Sequence, residues 1–330
     1  MKQILSRLFE YDTLSVEEAY EALQQLSAGE FNASQMAAFM TVFNMRDITV
    51  AELKGFRQAL LDLCVKPGIS GEDAVDLCGT GGDGKHTFNI STLASFIVAG
   101  AGYKVAKHGN YGVSSISGSS NVLEKLGYQF TNDGSVLSRQ LDKAGICFMH
   151  APLFHPALKG VGPIRRELGM KTFFNMLGPL VNPIQPSQQL VGVFSLKLSY
   201  LYKQLHEQLH KNYAIVYGLS GFDEISLTDT AKYISNAGTA MLSAKDFGYE
   251  DIALEAISGG TSVDEAAAIF KSIIEGKGTS AQNNVVCANA ALAIKCYHPE
   301  MDLLACVALA EESLKSGKAA LSLKQLLENQ

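Results

Sequence analysis

Over roughly the first 65 residues, apolar positions recur at helical spacing, and no period-two alternation appears. Ser15-Val16-Glu17-Glu18 offers an N-cap with acidic residues in the first turn, ahead of Ala19, Leu23 and Leu26 on one face. Asn32-Ala33-Ser34-Gln35 opens a second helix before residues 36–42. Thr49 opens a third, with Leu53, Phe56 and Leu60 on one side. Lys66-Pro67-Gly68 then breaks the chain and its character changes. Short β-type runs at 74–78, 103–106, 145–149, 191–194 and 213–217 alternate with helical stretches at 92–100, 120–126, 135–143 and 198–210. That alternation predicts an α/β domain with a parallel or mixed sheet and helices on its faces. The proline-bearing stretch 156–186, with Pro163, Pro179, Pro183 and Pro186, interrupts it. The expected division is a small helical domain over 1–68, joined by about 160–185, and an α/β domain over 69–159 and 186–330.

Composition narrows the function classes. The chain has 330 residues, 47% apolar and 18% charged, with a net charge of −6. This is enough apolar material for a sizeable core and is not a disordered composition. A net negative chain does not attract nucleic acid or an anionic membrane, so neither is expected as a partner. Six scattered cysteines, Cys64, Cys78, Cys147, Cys287, Cys296 and Cys306, show no metal-ligand spacing and no disulfide framework. The N-terminal segment mixes charges with its apolar residues, unlike a signal peptide, and no apolar run is long enough for a membrane helix. The expectation is a reduced, soluble, cytoplasmic protein.

Two loops carry the candidate chemistry. Gly79-Thr80-Gly81-Gly82-Asp83-Gly84-Lys85-His86-Thr87 follows a strand and precedes Asn89-Ile90-Ser91-Thr92, where a helix opens. Glycines let backbone N–H groups face an oxyanion, and the helix N-terminus adds further donors. A glycine-rich turn before an N-capped helix is the ordinary reading, but four glycines within six residues favour a phosphate cradle. Gly79-x-Gly81-x-x-Gly84 imitates the dinucleotide fingerprint. The next strand, however, leads into Lys107-His108 where an acidic residue should hold a ribose hydroxyl. Gly84-Lys85 imitates a Walker A loop, but His86 stands where Ser or Thr should ligate magnesium. The second loop, Lys107-His108-Gly109-Asn110-Tyr111-Gly112-Val113-Ser114-Ser115, leads through Gly118-Ser119-Ser120-Asn121 into another helix. Two such loops on adjacent strand ends suit a polyphosphorylated sugar.

These motifs resemble the anthranilate phosphoribosyltransferase family. The resemblance extends to His155-Pro156-Ala157-Leu158, Pro163-Ile164-Arg165-Arg166-Glu167-Leu168-Gly169, Phe174-Asn175-Met176-Leu177-Gly178-Pro179-Leu180 with Asn182-Pro183, and Gly221-Phe222-Asp223-Glu224-Ile225-Ser226. It runs in order along nearly the whole chain. It implies a homodimer of subunits with a small helical domain and a larger α/β domain of nucleoside phosphorylase/phosphoribosyltransferase type, having a central, mostly parallel sheet and the active site at the junction. It implies transfer of the phosphoribosyl group of phosphoribosyl pyrophosphate to anthranilate in tryptophan biosynthesis. By the same likeness Gly79, Gly82, Asp83, Thr87, Asn89, Ile90, Ser91, Thr92, Lys107, His108, Gly109, Asn110, Tyr111, Gly112, Val113, Ser114, Ser115 and Ser119 contact phosphoribosyl pyrophosphate. Gly79, Asn110 and Arg165 contact anthranilate, and Ser91, Asp223 and Glu224 hold Mg2+.

Residue chemistry bears on these roles. Adjacent carboxylates are usually a solvated turn, but Asp223-Glu224 follows a strand in a chain with phosphate loops, and magnesium takes oxygen ligands. A guanidinium such as that of Arg165 pairs bidentately with a carboxylate. Neither His108 nor His155 is assigned as a base, because a histidine beside glycines shapes a pocket as readily as it carries a proton. The chain departs from the family at Tyr111, where Arg is common, and at Asn121, where Asp is common. The rival readings are a pyrimidine nucleoside phosphorylase and a non-enzymatic, nucleic-acid-binding relative.

Overall fold

The computed structural model describes residues 1–112 and 116–330. Among the described residues the chain opens with four helices, α1 (Lys2–Phe9), α2 (Val16–Ser27), α3 (Ala33–Met45) and α4 (Val50–Leu63). It continues through β1 (Ala74–Gly79), α5 (Ile90–Gly100), β2 (Lys104–Gly109), α6 (Ser119–Lys125), α7 (Gly134–Lys143) and β3 (Ile146–His150). Three short helices follow, α8 (Ala151–Phe154), α9 (Gly162–Leu168) and α10 (Phe174–Leu177). Then come β4 (Gln188–Gly192), α11 (Leu196–Leu209), β5 (Asn212–Gly218), β6 (Ala231–Ser235) and β7 (Gly238–Leu242). Four helices end the chain: α12 (Val263–Ile274), α13 (Ser280–Tyr297), α14 (Leu303–Lys315) and α15 (Lys318–Glu328).

The chain divides into two compact units, residues 1–66 with 151–183 and residues 67–150 with 184–330. In the first unit, capping boxes start three helices: Ser15 with Glu18, Asn32 with Gln35, and Thr49 with Glu52. Helices α2 and α4 pack so closely that a Cβ on Gly55 would lie 2.3 Å from the Val16 carbonyl oxygen. The later segment joins this unit through Phe173, which stacks on Phe56 with centroids 4.6 Å apart and meets the edges of Phe39 and Phe43. Buried Arg57 donates to the Leu180 carbonyl at 3.0 Å, and the Val65 N–H to the Phe154 carbonyl at 2.8 Å. Buried backbone carbonyls are thereby paired inside the unit.

The second unit is built on a seven-stranded sheet of order β3-β2-β1-β4-β5-β6-β7. The first five strands run parallel, and β6 and β7 add an antiparallel edge. Parallel strands buried on both faces need continuous apolar runs, which Val75, Val105, Ile146, Leu190 and Ile215 supply. Helix α5 is buried almost throughout and packs against α13, α14 and α15. Two strands depart from the expected bounds. β2 extends to Gly109, so Lys107 and His108 lie in the sheet rather than in a loop, and β4 starts at Gln188. No helix among the described residues is long and apolar enough to cross a membrane.

Candidate active site

In open α/β sheets ligands gather at the carboxyl ends of parallel strands. β1 ends in the first glycine loop. Gly81 and Gly82 take left-handed φ angles of 64° and 77°, which side-chain-bearing residues adopt at a cost. The loop is fixed at both ends. The Thr80 N–H donates to the Gly192 carbonyl on β4 at 2.9 Å, and the His86 carbonyl accepts from the Gly259 N–H at 2.9 Å. Asn89 occupies the N-cap of α5, but its side chain does not cap the helix as the sequence suggested. Its Nδ2 donates instead to the Ser117 carbonyl at 3.1 Å and so ties the first loop to the second. The Ile90 N–H is taken by the Phe88 carbonyl at 2.7 Å, which leaves the N–H groups of Ser91 and Thr92 in the first helical turn to face an anion.

The acidic turn after β5 reaches the same place. The Gly218 N–H donates to the Phe222 carbonyl at 2.9 Å, which folds the chain back and sends Asp223 beneath the glycine loop. Asp223 is buried, and its Oδ2 accepts from the Gly81 N–H at 2.8 Å. Two glycines make room for it: a Cβ on Gly79 would lie 2.4 Å from Asp223 Oδ2, and one on Gly192 only 1.4 Å from the Asp223 carbonyl oxygen. Asn289 of α13 clamps the far side of the turn. Its side chain accepts from the Ile225 N–H at 3.0 Å and donates to the Ile225 carbonyl at 2.8 Å.

Asp83, Asp223 and Glu224 converge, with one oxygen from each within 4.8 Å of the others. Asp83 Oδ1 accepts from the Lys85 N–H at 3.1 Å, whereas its buried Oδ2 has no hydrogen-bond partner. Burial, and then the charge of Asp83, raises the Asp223 carboxyl to about 6. Burial and the Asp223 charge lift Glu224 well above the usual carboxylate range. Lys107 supplies the neighbouring positive charge. It is buried on β2 and donates to the Leu77 carbonyl and to Ser91 Oγ, the latter at 3.4 Å. Burial pulls its ammonium pKa down, while Asp76, Cys78, Glu224 and Asp223 oppose that shift. The His108 N–H is held by Asp76 Oδ1 at 3.0 Å, which explains how two polar residues sit inside a strand.

The second loop starts at Asn110. Its carbonyl accepts from the Ser120 N–H at 3.2 Å and from Ser119 Oγ at 3.4 Å. Asn121 Oδ1 accepts from both the Gly112 and Gly118 N–H groups, at 2.9 and 3.0 Å, and closes the loop at its neck. Val113, Ser114 and Ser115 lie outside the described residues. Gly109 lies where a Cβ would come within 2.4 Å of both Phe148 and Ser119 Oγ.

Within the helical unit, Arg165 projects from α9, with its guanidinium 5.4 Å from the Phe174 ring centroid and donating to Asn175 Oδ1 at 3.2 Å. His155 is buried there. Its Nε2 lies 2.9 Å from the Val181 carbonyl, and burial lowers its pKa to about 4.

The structure therefore brings the first loop, Ser91, Lys107, Asp223 and Glu224 to one end of the sheet. Sequence reasoning did not place Asp83 with the acidic pair, and it did not find Asn289. An asparagine inside the apolar run of α13 was the available signal, because a buried amide must find partners.

The chain matches two family models, the glycosyl transferase family helical bundle domain over residues 2–64 and the glycosyl transferase family a/b domain over residues 71–320. It is 56% identical to the anthranilate phosphoribosyltransferase of Flavobacterium johnsoniae, covering 99% of each chain. The crystal structure of the Thermus thermophilus anthranilate phosphoribosyltransferase superposes with a TM-score of 0.92 at 32% identity, over 98% of both chains. The Saccharomyces cerevisiae enzyme, solved in complex with phosphoribosyl pyrophosphate and magnesium, superposes with a TM-score of 0.88 at 26% identity, over 98% of this chain and 96% of that one. A chain with this fold, these loops and relatives this similar over their full length belongs to the anthranilate phosphoribosyltransferase family, the enzymes that transfer a phosphoribosyl group to anthranilate in tryptophan biosynthesis.

Proposed function

We propose that this chain performs the transfer at the carboxyl ends of β1, β2 and β5, with Asp83, Asp223 and Glu224 as the magnesium site. The observation that carries this reading is the convergence of three carboxylates beneath a glycine loop, one of them with a buried, unpartnered oxygen. Oxygen donors of this kind suit magnesium, and the yeast relative was solved with phosphoribosyl pyrophosphate and magnesium. Ser91 belongs to the expected magnesium set, and its hydroxyl lies beside Lys107. Magnesium bound there would neutralise charge on the departing pyrophosphate.

The chain's own groups do the rest. The first loop and the α5 N-terminus, with Asn89, Ile90, Ser91 and Thr92, line the phosphate site, where the Ser91 and Thr92 N–H groups face the phosphate oxygens. Lys107 offers a fixed positive charge, and Asn110, Ser119 and Gly112 frame the second loop. The C1–O bond to pyrophosphate breaks as a C1–N bond to the anthranilate amine forms, and one amine proton is lost. Positioning and prearranged dipoles suffice for such a substitution, and no covalent nucleophile is required. Arg165 would receive the anthranilate carboxylate. Its bond to Asn175 and its stacking on Phe174 hold the guanidinium while leaving other N–H groups to donate.

The test is anthranilate fluorescence, followed with phosphoribosyl pyrophosphate and magnesium. Loss of fluorescence that needs both supports the reading. Phosphate-dependent cleavage of a pyrimidine nucleoside without anthranilate turnover would replace it with the phosphorylase reading. Asp223→Asn combined with Glu224→Gln should abolish turnover while the chain stays folded, and wild-type turnover in that variant would remove the metal assignment. A homodimer is part of the same proposal. Phe9, Tyr11 and Met45 expose 58%, 69% and 78% of their surface on the helical unit, and sedimentation equilibrium decides the mass. A cytoplasmic location agrees with six free cysteines, five of them buried.

A further inference from the structure

Tyr111 follows Asn110 at the start of the second loop, and its side chain is engaged on two sides. Its hydroxyl donates to Glu124 Oε1 on α6 at 3.1 Å. Its ring meets the His150 imidazole edge-on, with centroids 5.0 Å apart and planes at 86°. His150 is in turn stacked on Phe130 at 4.2 Å and 15°, and Phe130 lies 5.3 Å from the buried Phe148 of β3. Ser120 Oγ lies 2.9 Å from His150 Nδ1 and fixes that ring from α6. Ser120 and Glu124 are four residues apart and so share one face of the helix. A continuous set of contacts thus leads from the sheet core to Tyr111 near the start of the loop. Burial lowers the His150 pKa to about 4, so the ring that Tyr111 touches is neutral near pH 7.

We propose that Tyr111 is a positioning residue, docking the second phosphate loop on Glu124 and His150, rather than a group that touches pyrophosphate. The hydroxyl is already committed to a carboxylate, which no phosphate oxygen would approach. An arginine at this position would meet the same carboxylate first. Tyr111 is therefore an anchor that holds Asn110 and Gly112 in place through their neighbour. Asn121, the other departure, serves the same frame. Its single Oδ1 receives two N–H groups, a task that needs an acceptor and no charge.

The proposal rests on the phosphoribosyl-transfer reading, and the wild-type enzyme serves as its control. If the wild type fails to turn over anthranilate with phosphoribosyl pyrophosphate, that reading falls. If it turns over and the variants behave like it, only the anchor falls. Tyr111→Phe and Glu124→Leu are both made at exposed or half-buried positions, and unfolding temperatures confirm that each variant is folded. Each should raise the phosphoribosyl pyrophosphate KM and its calorimetric Kd by about three- to five-fold, the scale of one hydrogen bond. The anthranilate KM should stay within a factor of about two, and the double variant should be no worse than either single one. A contact role predicts otherwise, since Tyr111→Phe would weaken binding while Glu124→Leu would leave it alone. That pattern, or additive losses, overturns the anchor. Tyr111→Arg supplies the rescue arm. With Glu124 present it should restore wild-type affinity with little salt dependence. Affinity well above wild type that disappears at high salt would mean that position 111 faces pyrophosphate.

Discussion

Asp223→Asn should make the metal-free protein more stable while removing its response to magnesium. Asp223 is 6% exposed, and its pKa rises from 3.8 to about 6 through burial and the charge of Asp83. At pH 7.5, above both values, the folded protein bears the whole cost of keeping this group ionised. Two pKa units correspond to about 3 kcal/mol. Asparagine keeps the shape and an oxygen that can accept from the Gly81 N–H, so the bond of 2.8 Å survives in kind. Relaxation of the apo turn reduces the gain, leaving about 2 kcal/mol. For a chain of this size that is a rise of roughly 2–6 °C in melting temperature.

The assay is scanning calorimetry in EDTA and again with magnesium and inorganic pyrophosphate. Two compact units need not unfold together, so the transition assigned to the α/β unit is the one compared. A ligand at 100 times its Kd stabilises by about 2.7 kcal/mol. The wild type should show such a gain and the variant little of it. A variant less stable than wild type in EDTA, or one with the full magnesium response, would refute the electrostatic account of the triad.

Arg165→Ala should raise the anthranilate KM by about 10- to 100-fold, the scale of a lost charge-assisted pair, with far less effect on phosphoribosyl pyrophosphate; the reverse selectivity would end the carboxylate role. Asn289→Leu removes both partners of the Ile225 backbone, so unfolding in urea should show a loss of about 2–3 kcal/mol together with weaker magnesium binding, and unchanged stability would mean that the clamp carries no weight. Burial pulls His155 from 6.5 to about 4, so between those values the unfolded chain takes up the proton first and stability falls as pH drops. Unfolding free energies from urea titrations between pH 7.5 and 4.5 should therefore decline by about 2–3 kcal/mol on account of this residue, and His155→Gln should flatten the slope by that amount; an equally steep variant would refute the assignment.

The helical starts at Ser15, Asn32 and Thr49 were legible because capping is local, needing one side chain and one N–H three residues on. The parallel core was legible for a related reason, since doubly buried strands are apolar throughout. β2 was cut short after residue 106 because Lys107 and His108 look like loop residues. Their partners, Leu77, Ser91 and Asp76, are supplied from 16 to 32 residues away. The acidic pair was visible as Asp223-Glu224, but its third member is 140 positions distant and only the sheet brings it near. Asn89 misled for the opposite reason: its type and place suggest a cap, and a tertiary partner, Ser117, takes the amide instead.

The electrostatics of the site explain why its frame is so heavily anchored. Three carboxylates within 4.8 Å repel one another, and Lys107, which offsets part of that charge, is itself held in place by a carbonyl and a hydroxyl. Left free, the acidic turn would swing toward water, and Asp83 would move with its loop. The Gly81 N–H, the close approach at Gly79 and Gly192, and the Asn289 clamp each oppose that motion from a different side. Such restraint keeps the oxygens aimed inward before any substrate arrives, so less reorganisation is left for the moment when charge builds on the leaving group. Residues that carry no carboxylate of their own, Gly192 and Asn289 among them, should therefore resist substitution as firmly as the carboxylates they hold.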